Sequence, residues 1–310
     1  MTGTPIENRL TELWSLFRFL NPGLFGSQKS FEDRFAFPIQ RDQSASARST
    51  LRRLVHPFIL RRTKSQVLEE LPSRTEIVRE IELSKEESAL YEAARLNALK
   101  ELQDMKDKDS GQGQLKILAA LTRLRQLCCN PKMVLPDSKV ESSKLEAFRE
   151  IMEELKENRH KVLVFSQFVK HLAILKTELD AMGITYQYLD GSTPEKERQK
   201  RVEAFQSGES DAFLISIKAG GSGLNLTAAD YVIHVDPWWN PAVEDQATDR
   251  AHRIGQTRPV TVYRLITQGT IEEKIVRLHH EKRDLADKLL EGTDQATKLS
   301  AAELIDILRS

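Results

Sequence analysis

The stretch 236–256 carries the densest set of side chains able to handle phosphate. Asn240 is a good helix N-cap, and Pro241 falls at the first helical position, where a missing N–H costs nothing. On a helix continuing from there, Gln246, Arg250 and Arg253 stand at i, i+4 and i+7 and share one face. Two permanent, fork-shaped cations on one face match the oxygens of a polyphosphate. The competing use of that face is a solvated surface paired with Glu244, Asp245 and Asp249.

A second candidate is the glycine-rich turn Lys218-Ala-Gly-Gly-Ser-Gly-Leu-Asn225, at the C-terminal end of an expected strand. Ligands of open α/β sheets sit at that end, and glycines let the backbone come close to them. It is not a phosphate-cradling P-loop, because Gly-x-x-x-x-Gly-Lys-Ser/Thr occurs nowhere in the sequence. Ser166-Gln167 and Gly191-Ser192-Thr193 also end strands. Each alone is an ordinary helix cap; together they would make a ridge of hydroxyl and main-chain N–H groups suited to a phosphate backbone. Arg52, Arg53, Arg61, Arg62 and Lys64 form the strong basic cluster, equally explained as a solvated helical face. Trp238 and Trp239 suit core packing or a loop anchor, and His252 is given no ligand role. No His/Cys/Asp set shows metal-ligand spacing, and no Ser-His-Asp nucleophile set stands out.

These groups need elements to position them. After residue 160, short apolar runs at 162–165, 186–189, 212–217, 231–235 and 260–266 alternate with helical stretches, which predicts βαβ units and a parallel sheet. The intervening helices carry Leu172, Leu175 and Leu179, then Val202 and Phe205 after Thr193-Pro194. From about residue 25 to 155 the pattern is nearly all helix, with 76–81 the sole strand candidate. Leu10, Leu13, Trp14, Phe17 and Leu20 recur at steps of three and four and stop at Asn21-Pro22-Gly23. Ser84 with Glu87, Ser143 with Glu146, and Thr270 with Glu273 are capping-box pairs. Polar residues 103–114 predict a loop between a helix bearing Leu90, Tyr91, Ala94 and Leu102 and one bearing Leu115, Leu118, Leu121, Leu124 and Cys128. A helix at 145–155 carries Leu145, Phe148, Met152 and Leu155, and a short one is expected at 301–308.

The chain has 310 residues, room for about two domains. Its 46 Lys and Arg balance 46 Asp and Glu. That excludes a wholly basic nucleic-acid binder and confines any grip on phosphate to a local patch. Hydrophobic residues at 40% beside 30% charged ones exclude a disordered chain. Cys128 and Cys129 are adjacent, poorly placed to bridge each other and too few for a cysteine-based zinc site, so a reducing compartment is expected. No apolar run nears the ~20 residues of a membrane span.

In their order along the chain, these motifs resemble the C-terminal half of a SWI/SNF-type ATPase, a helicase-superfamily-two DNA translocase. Thr2-Gly-Thr-Pro-Ile-Glu-Asn8 resembles the motif closing the family's first RecA-like lobe. Phe58-Ile-Leu-Arg-Arg-Thr-Lys64, and Leu124-Arg125-Gln126 with Asn130-Pro131, resemble hallmarks of its helical insertions. Residues 162–168, Asp190-Gly-Ser-Thr193, 218–226 and 246–256 resemble the second-lobe motifs.

The resemblance implies an α/β fold, a RecA-like parallel sheet sandwiched by helices and preceded by a mainly helical insertion region. Residues 1–20 would end the first lobe, 21–140 form the insertions, 141–270 the second lobe, and 271–310 the bracing helices. Arg250 and Arg253 would be arginine fingers; Gln246, Gly223 and Asn225 would serve the nucleotide. Ser166, Gln167, Lys218, Gly220, Gly221 and Ser222 would track the DNA backbone, and Trp238 and Trp239 couple hydrolysis to movement. ATP and magnesium would bind only with a P-loop lysine and a magnesium-binding acid from the first lobe, so the chain alone is expected to be inactive as an ATPase. Residues 2–20 would lack the sheet they normally pack on and be displaced or mobile. Double-stranded DNA and a first lobe are the implied partners of an otherwise monomeric chain, found near the nucleoid in a prokaryote or in the nucleus of a eukaryote. The alternative from another class is a non-enzymatic DNA-binding or regulatory module that docks on a partner. An RNA-directed relative is disfavoured by Arg61-Arg62-Thr63 and the long insertion, and the short 103–114 loop leans toward a bacterial or archaeal architecture.

Overall fold

The structure is a computed structural model and describes residues 10–40, 44–59, 71–103, 111–219 and 224–277. The described residues fall into two compact units, one within 10–59 and one within 71–276.

In the first unit, α1 (Leu10–Leu20) and α2 (Ala45–Val55) flank short helical turns between residues 28 and 40. The stripe Leu10, Leu13, Trp14 and Phe17 is buried against Phe25, Phe31, Phe35, Ile39, Leu51 and Val55. Phe25 bridges this core, its ring 5.1 Å from Phe17 and 5.0 Å from Phe31. The apolar stripe of residues 10–20 thus finds its partner in the residues that follow. Residues 2–9 lie outside the described residues, as do Arg61, Arg62 and Lys64; Arg52 and Arg53 are exposed on α2.

The second unit is built on a sheet of β1 (Arg74–Ile81), β2 (Val162–Ser166), β3 (Tyr186–Leu189), β4 (Ala212–Ser216), β5 (Tyr231–His234) and β6 (Val260–Thr267). Its order is β1-β6-β5-β2-β4-β3, with every neighbouring pair parallel. The five strands expected after residue 160 form its body. The lone strand candidate of the helical region is also real, starts at Arg74, and pairs with β6 from Arg74↔Val260 to Ile81↔Thr267. Periodicity could place that strand but not its partner so far along the chain.

Alternation along each strand sends side chains to both faces. Val162, Val164, Ala212, Leu214 and Ile233 face one layer, where α3 (Lys85–Gln103) and α4 (Gly111–Cys129) precede α5 (Ser143–Glu157) and α6 (Val169–Ala181) in the chain. That face is covered by Phe148, Ile151, Met152 and Leu155 of α5 and Leu172, Leu175 and Leu179 of α6. Leu163, Phe165, Phe213, Ile215 and Val232 face the other, covered by Phe205 of α7 (Glu195–Ser207), Ala247 of α8 (Pro241–Thr248), Leu226 and Ala251. Burial on both faces is why these strands read as unbroken apolar runs.

The caps follow the sequence closely. Ser84 and Glu87 form the reciprocal capping box, Glu87 Oε2 accepting from Ser84 N at 3.0 Å and Ser84 Oγ accepting from Glu87 N at 3.2 Å. At α5 the cap is Ser142, whose Oγ accepts from Leu145 N; Ser143, the expected cap, instead donates N–H and hydroxyl to Glu87. Helix α4 begins at Gly111, inside the expected loop. Thr270 caps the helical turn at 271–277, its Oγ1 accepting from Glu272 N, while 301–308 lie outside the described residues.

Candidate nucleotide and nucleic-acid site

A parallel sheet delivers the loops after its strands to one edge. Ser166 registers against Ser216, Phe165 against His234, and Leu189 against Ile215, so the expected loop motifs do gather there. The Ser166 side chain is buried: its hydroxyl donates to Asp236 Oδ1 at 2.5 Å and accepts from Phe168 N at 3.0 Å. Gln167 N donates to Asp236 Oδ2 at 3.2 Å. Ser166 thus ties the loop after β2 to the loop after β5, its hydroxyl directed inward. Asp190 accepts from Ser192 N and Oγ and from the Tyr188 hydroxyl, and these hydrogen bonds, that from Ser192 foremost, hold its carboxyl below the usual range. Lys218 is exposed, its ammonium 5.4 Å from the Trp238 ring centroid. Asn225 is exposed; Gly220, Gly221, Ser222 and Gly223 lie outside the described residues.

Asn240 caps α8 as expected, its Oδ1 accepting from Ala242 N at 3.0 Å with Pro241 in the first turn. The helix then stops at Thr248, so Arg250 and Arg253 leave it in turns, and the expected common helical face with Gln246 does not form. Gln246 is exposed on α8. Arg250 is 7% exposed, its guanidinium 5.4 Å from the Phe165 ring centroid, and its Nη1 has no hydrogen-bond partner among the described residues. Burial, and then the charge of Arg198, pull its pKa down to about 10. Arg253 is half-buried and donates to Leu224 O at 3.3 Å. His252 is not a bare surface residue: its Nε2 pairs with Pro72 O at 2.8 Å.

Several positioning contacts could not be read from the sequence, even where their residues lie in the 236–256 stretch. The Gln256 amide donates to Thr227 O, Ala229 O and Ala251 O, and its carbonyl accepts from Thr257 N and Arg258 N. Glu244, buried on α8, accepts from Trp238 N at 2.6 Å and forms an ion pair with buried Arg264 of β6. Lys144 and Glu272 pair at 2.5 Å in the core. Cys129, His171 and Asp236, far apart in sequence, bring ligand-type atoms within 4.8 Å of one another. Asp236 already takes hydrogen bonds from Ser166 and Gln167, Arg125 lies 4.0 Å away, and the charge of Lys144 bears on all three. A metal would add charge to a buried site that two cations already serve, so the triad is better explained as the polar floor beneath the loops.

An all-parallel, doubly covered sheet whose C-terminal edge gathers these loops and the two arginines is a RecA-like helicase lobe. The sequence pattern of the SNF2-related domain matches residues 1–133, and that of the helicase conserved C-terminal domain matches residues 143–255. YwqA of Bacillus subtilis (strain 168), which carries an ATP-dependent helicase/translocase name, is 42% identical over 316 residues, spanning 99% of this chain and 34% of that protein. The human SWI/SNF-related matrix-associated actin-dependent regulator of chromatin subfamily A member 1 is 36% identical over 100% of this chain and 31% of its own length. The Sulfolobus solfataricus SWI2/SNF2 ATPase core in complex with dsDNA is 37% identical with a TM-score of 0.63, covering 99% of this chain and 65% of that one. Its C-terminal domain alone is 30% identical with a TM-score of 0.59, covering 70% of this chain and 90% of that one. The chain belongs to the SWI2/SNF2 ATPase family. It spans about a third of the length of the curated relatives it matches. Among the described residues, no helix is long and apolar enough to cross a membrane.

Proposed function

We propose that this chain supplies the second-lobe half of an ATP-driven translocase on double-stranded DNA, with 1–20 closing the first lobe, 21–140 inserted, 141–270 forming the second lobe and 271–310 bracing it. The observation that carries the reading is Arg250, a buried guanidinium whose Nη1 has no hydrogen-bond partner among the described residues, at the C-terminal edge of the sheet. A buried charge of that kind is costly unless a partner arrives, and a terminal phosphate fits it. ATP supplies the transferable phosphoryl group. Arg250, with Arg253 beside it, stabilises the charge on that group, an effect worth ~10³–10⁵ in rate for arginine fingers. Gln246, Gly223 and Asn225 border the same nucleotide. Gln167, Lys218, Gly220, Gly221 and Ser222 grip the DNA backbone while Ser166 sets their loop, and Trp238 and Trp239 link the two sites.

The sequence contains no P-loop lysine motif, so the groups that cradle phosphate and magnesium come from a first lobe. The chain alone is inactive on this reading. Its zero net charge gives it a modest, salt-sensitive hold on DNA. Its place is with the chromosome, near the nucleoid in a prokaryote and in the nucleus of a eukaryote.

The test is DNA-stimulated ATP hydrolysis by the chain alone and by the chain with a separately purified first lobe. Silence alone and activity together support the reading. Hydrolysis by the chain alone sinks it, and silence in both with DNA binding intact favours a non-enzymatic binding module.

A further inference from the structure

Arg125 lies on α4, and only 3% of its side chain is exposed. Its Nη1 donates to Gln167 Oε1 at 2.8 Å, its Nη2 donates to Pro237 O, and the Asp236 carboxylate is 4.0 Å away. The guanidinium carbon is also 5.6 Å from the Phe168 ring centroid and 5.2 Å from that of Trp239. One side chain therefore touches Gln167 and Phe168 after β2 and Pro237 and Trp239 after β5. A planar fork can donate in its own plane and still offer flat faces to aromatic rings, which an ammonium cannot do. Ser166 and Asp236 join the same loops from within, but both come from the sheet; Arg125 alone among these groups comes from a helix outside it.

We infer that Arg125 is a positioning residue through which α4 sets the spacing of the two loops, and so of the DNA grip and the tryptophan pair. This rests on the DNA-tracking reading of those loops proposed above. Arg125 itself is too buried to reach a phosphate. Its contribution to binding is geometric, through Gln167 and the tryptophan loop, and not a charge contact.

The experiment compares the chain with Arg125→Met and Arg125→Lys. Amide hydrogen exchange without DNA reads the clamp directly. Both variants should exchange about tenfold faster at 166–169 and 236–240 while β2 and β5 keep their protection, since loop opening is a local event. Binding to a labelled DNA duplex, followed over a range of salt, reads the consequence. Affinity should fall about fivefold with the slope of log affinity against log salt unchanged, because no phosphate-bound cation is lost. Wild-type exchange in both loops of either variant overturns the inference. So does a slope lowered by about one, which would make Arg125 a phosphate contact. If Arg125→Met loses protection throughout the sheet, Arg125→Lys, which keeps charge and bulk but not the fork, decides. If the wild-type chain does not bind duplex at all, the DNA reading fails while the exchange data still judge the clamp.

Discussion

Arg250 lies over the ring of Phe165, a buried guanidinium against an aromatic side chain at the end of the second strand of the sheet. The fold provides this cation–π contact but, among the described residues, no acceptor for Nη1, and burial pulls the pKa from 12.5 to about 10. A cation whose pKa falls on folding is disfavoured by the fold at neutral pH, here by roughly 3 kcal/mol before the ring contact offsets part of it. Arg250→Met keeps the bulk and removes the charge. The expected outcome is a melting temperature equal to or above that of the wild type, together with loss of at least about a hundredfold in DNA-stimulated hydrolysis when a first lobe is supplied. Differential scanning calorimetry and an ATPase assay check the two halves. A melting temperature several degrees lower would show that Arg250 is built for stability and not for a ligand.

Glu244 and Arg264 give the opposite expectation. Both are buried, and Glu244 also holds the main-chain N–H of Trp238. Removing Arg264 leaves the Glu244 carboxylate buried without its cation, so Arg264→Met should cost about 3–5 kcal/mol in urea unfolding; Glu244→Leu should cost less, because Arg264 still reaches Glu76 at 3.3 Å and Asp245 at 3.6 Å. The double variant Glu244→Leu/Arg264→Met should recover a large part of that loss, because no buried charge then lacks its partner. Additive losses in the double variant would deny the pairing.

The order of strands and helices after residue 160 was legible because most of these strands are short apolar runs separated by stretches long enough for a crossover. Asn240 and the Ser84–Glu87 box were legible because capping is local chemistry. What could not be read is what depends on distant residues meeting. Arg74–Ile81 joins the sheet through a partner strand at 260–267, and Ser166 faces Asp236 instead of solvent. The helical face proposed for Gln246, Arg250 and Arg253 failed for a local reason: α8 ends at Thr248, and the chain then turns so that Arg250 tucks inward. Arg125 was legible as part of a motif and not as a clamp, since its five partners come from two loops elsewhere in the chain.

Gln256 closes the arginine segment with both ends of one amide. Its N–H groups serve three main-chain carbonyls, and its oxygen serves two main-chain N–H groups. Gln256→Glu has nearly the same shape but offers oxygen to the carbonyls of Thr227, Ala229 and Ala251. Unsatisfied buried polar groups cost about 1–3 kcal/mol each, so a melting temperature lower by about 4–10 °C is expected, and lower still at pH 8 than at pH 5. At low pH the new carboxyl is protonated and regains one donor. A pH-independent loss would mean that the amide nitrogen is not the group that matters.

His171 makes folding itself sensitive to acid. It is fully buried, neither ring nitrogen has a hydrogen-bond partner among the described residues, and burial, aided by the charge of Lys144, pushes its pKa from 6.5 down to about 3. Cys129, Asp236 and Lys144 surround it. Between those two pKa values the unfolded chain binds a proton that the folded chain refuses. Stability is therefore full above pH 6.5 and drains away as pH falls toward 3, by about 1.4 kcal/mol per unit. From pH 7.5 to pH 5.0, this histidine alone should remove about 2 kcal/mol. His171→Leu cannot take up that proton in either state. Urea unfolding of both proteins at the two pH values should show the wild type losing about 2 kcal/mol more than the variant. Equal losses would mean that His171 is charged in the fold, and that the pocket formed with Cys129 and Asp236 accommodates a cation after all.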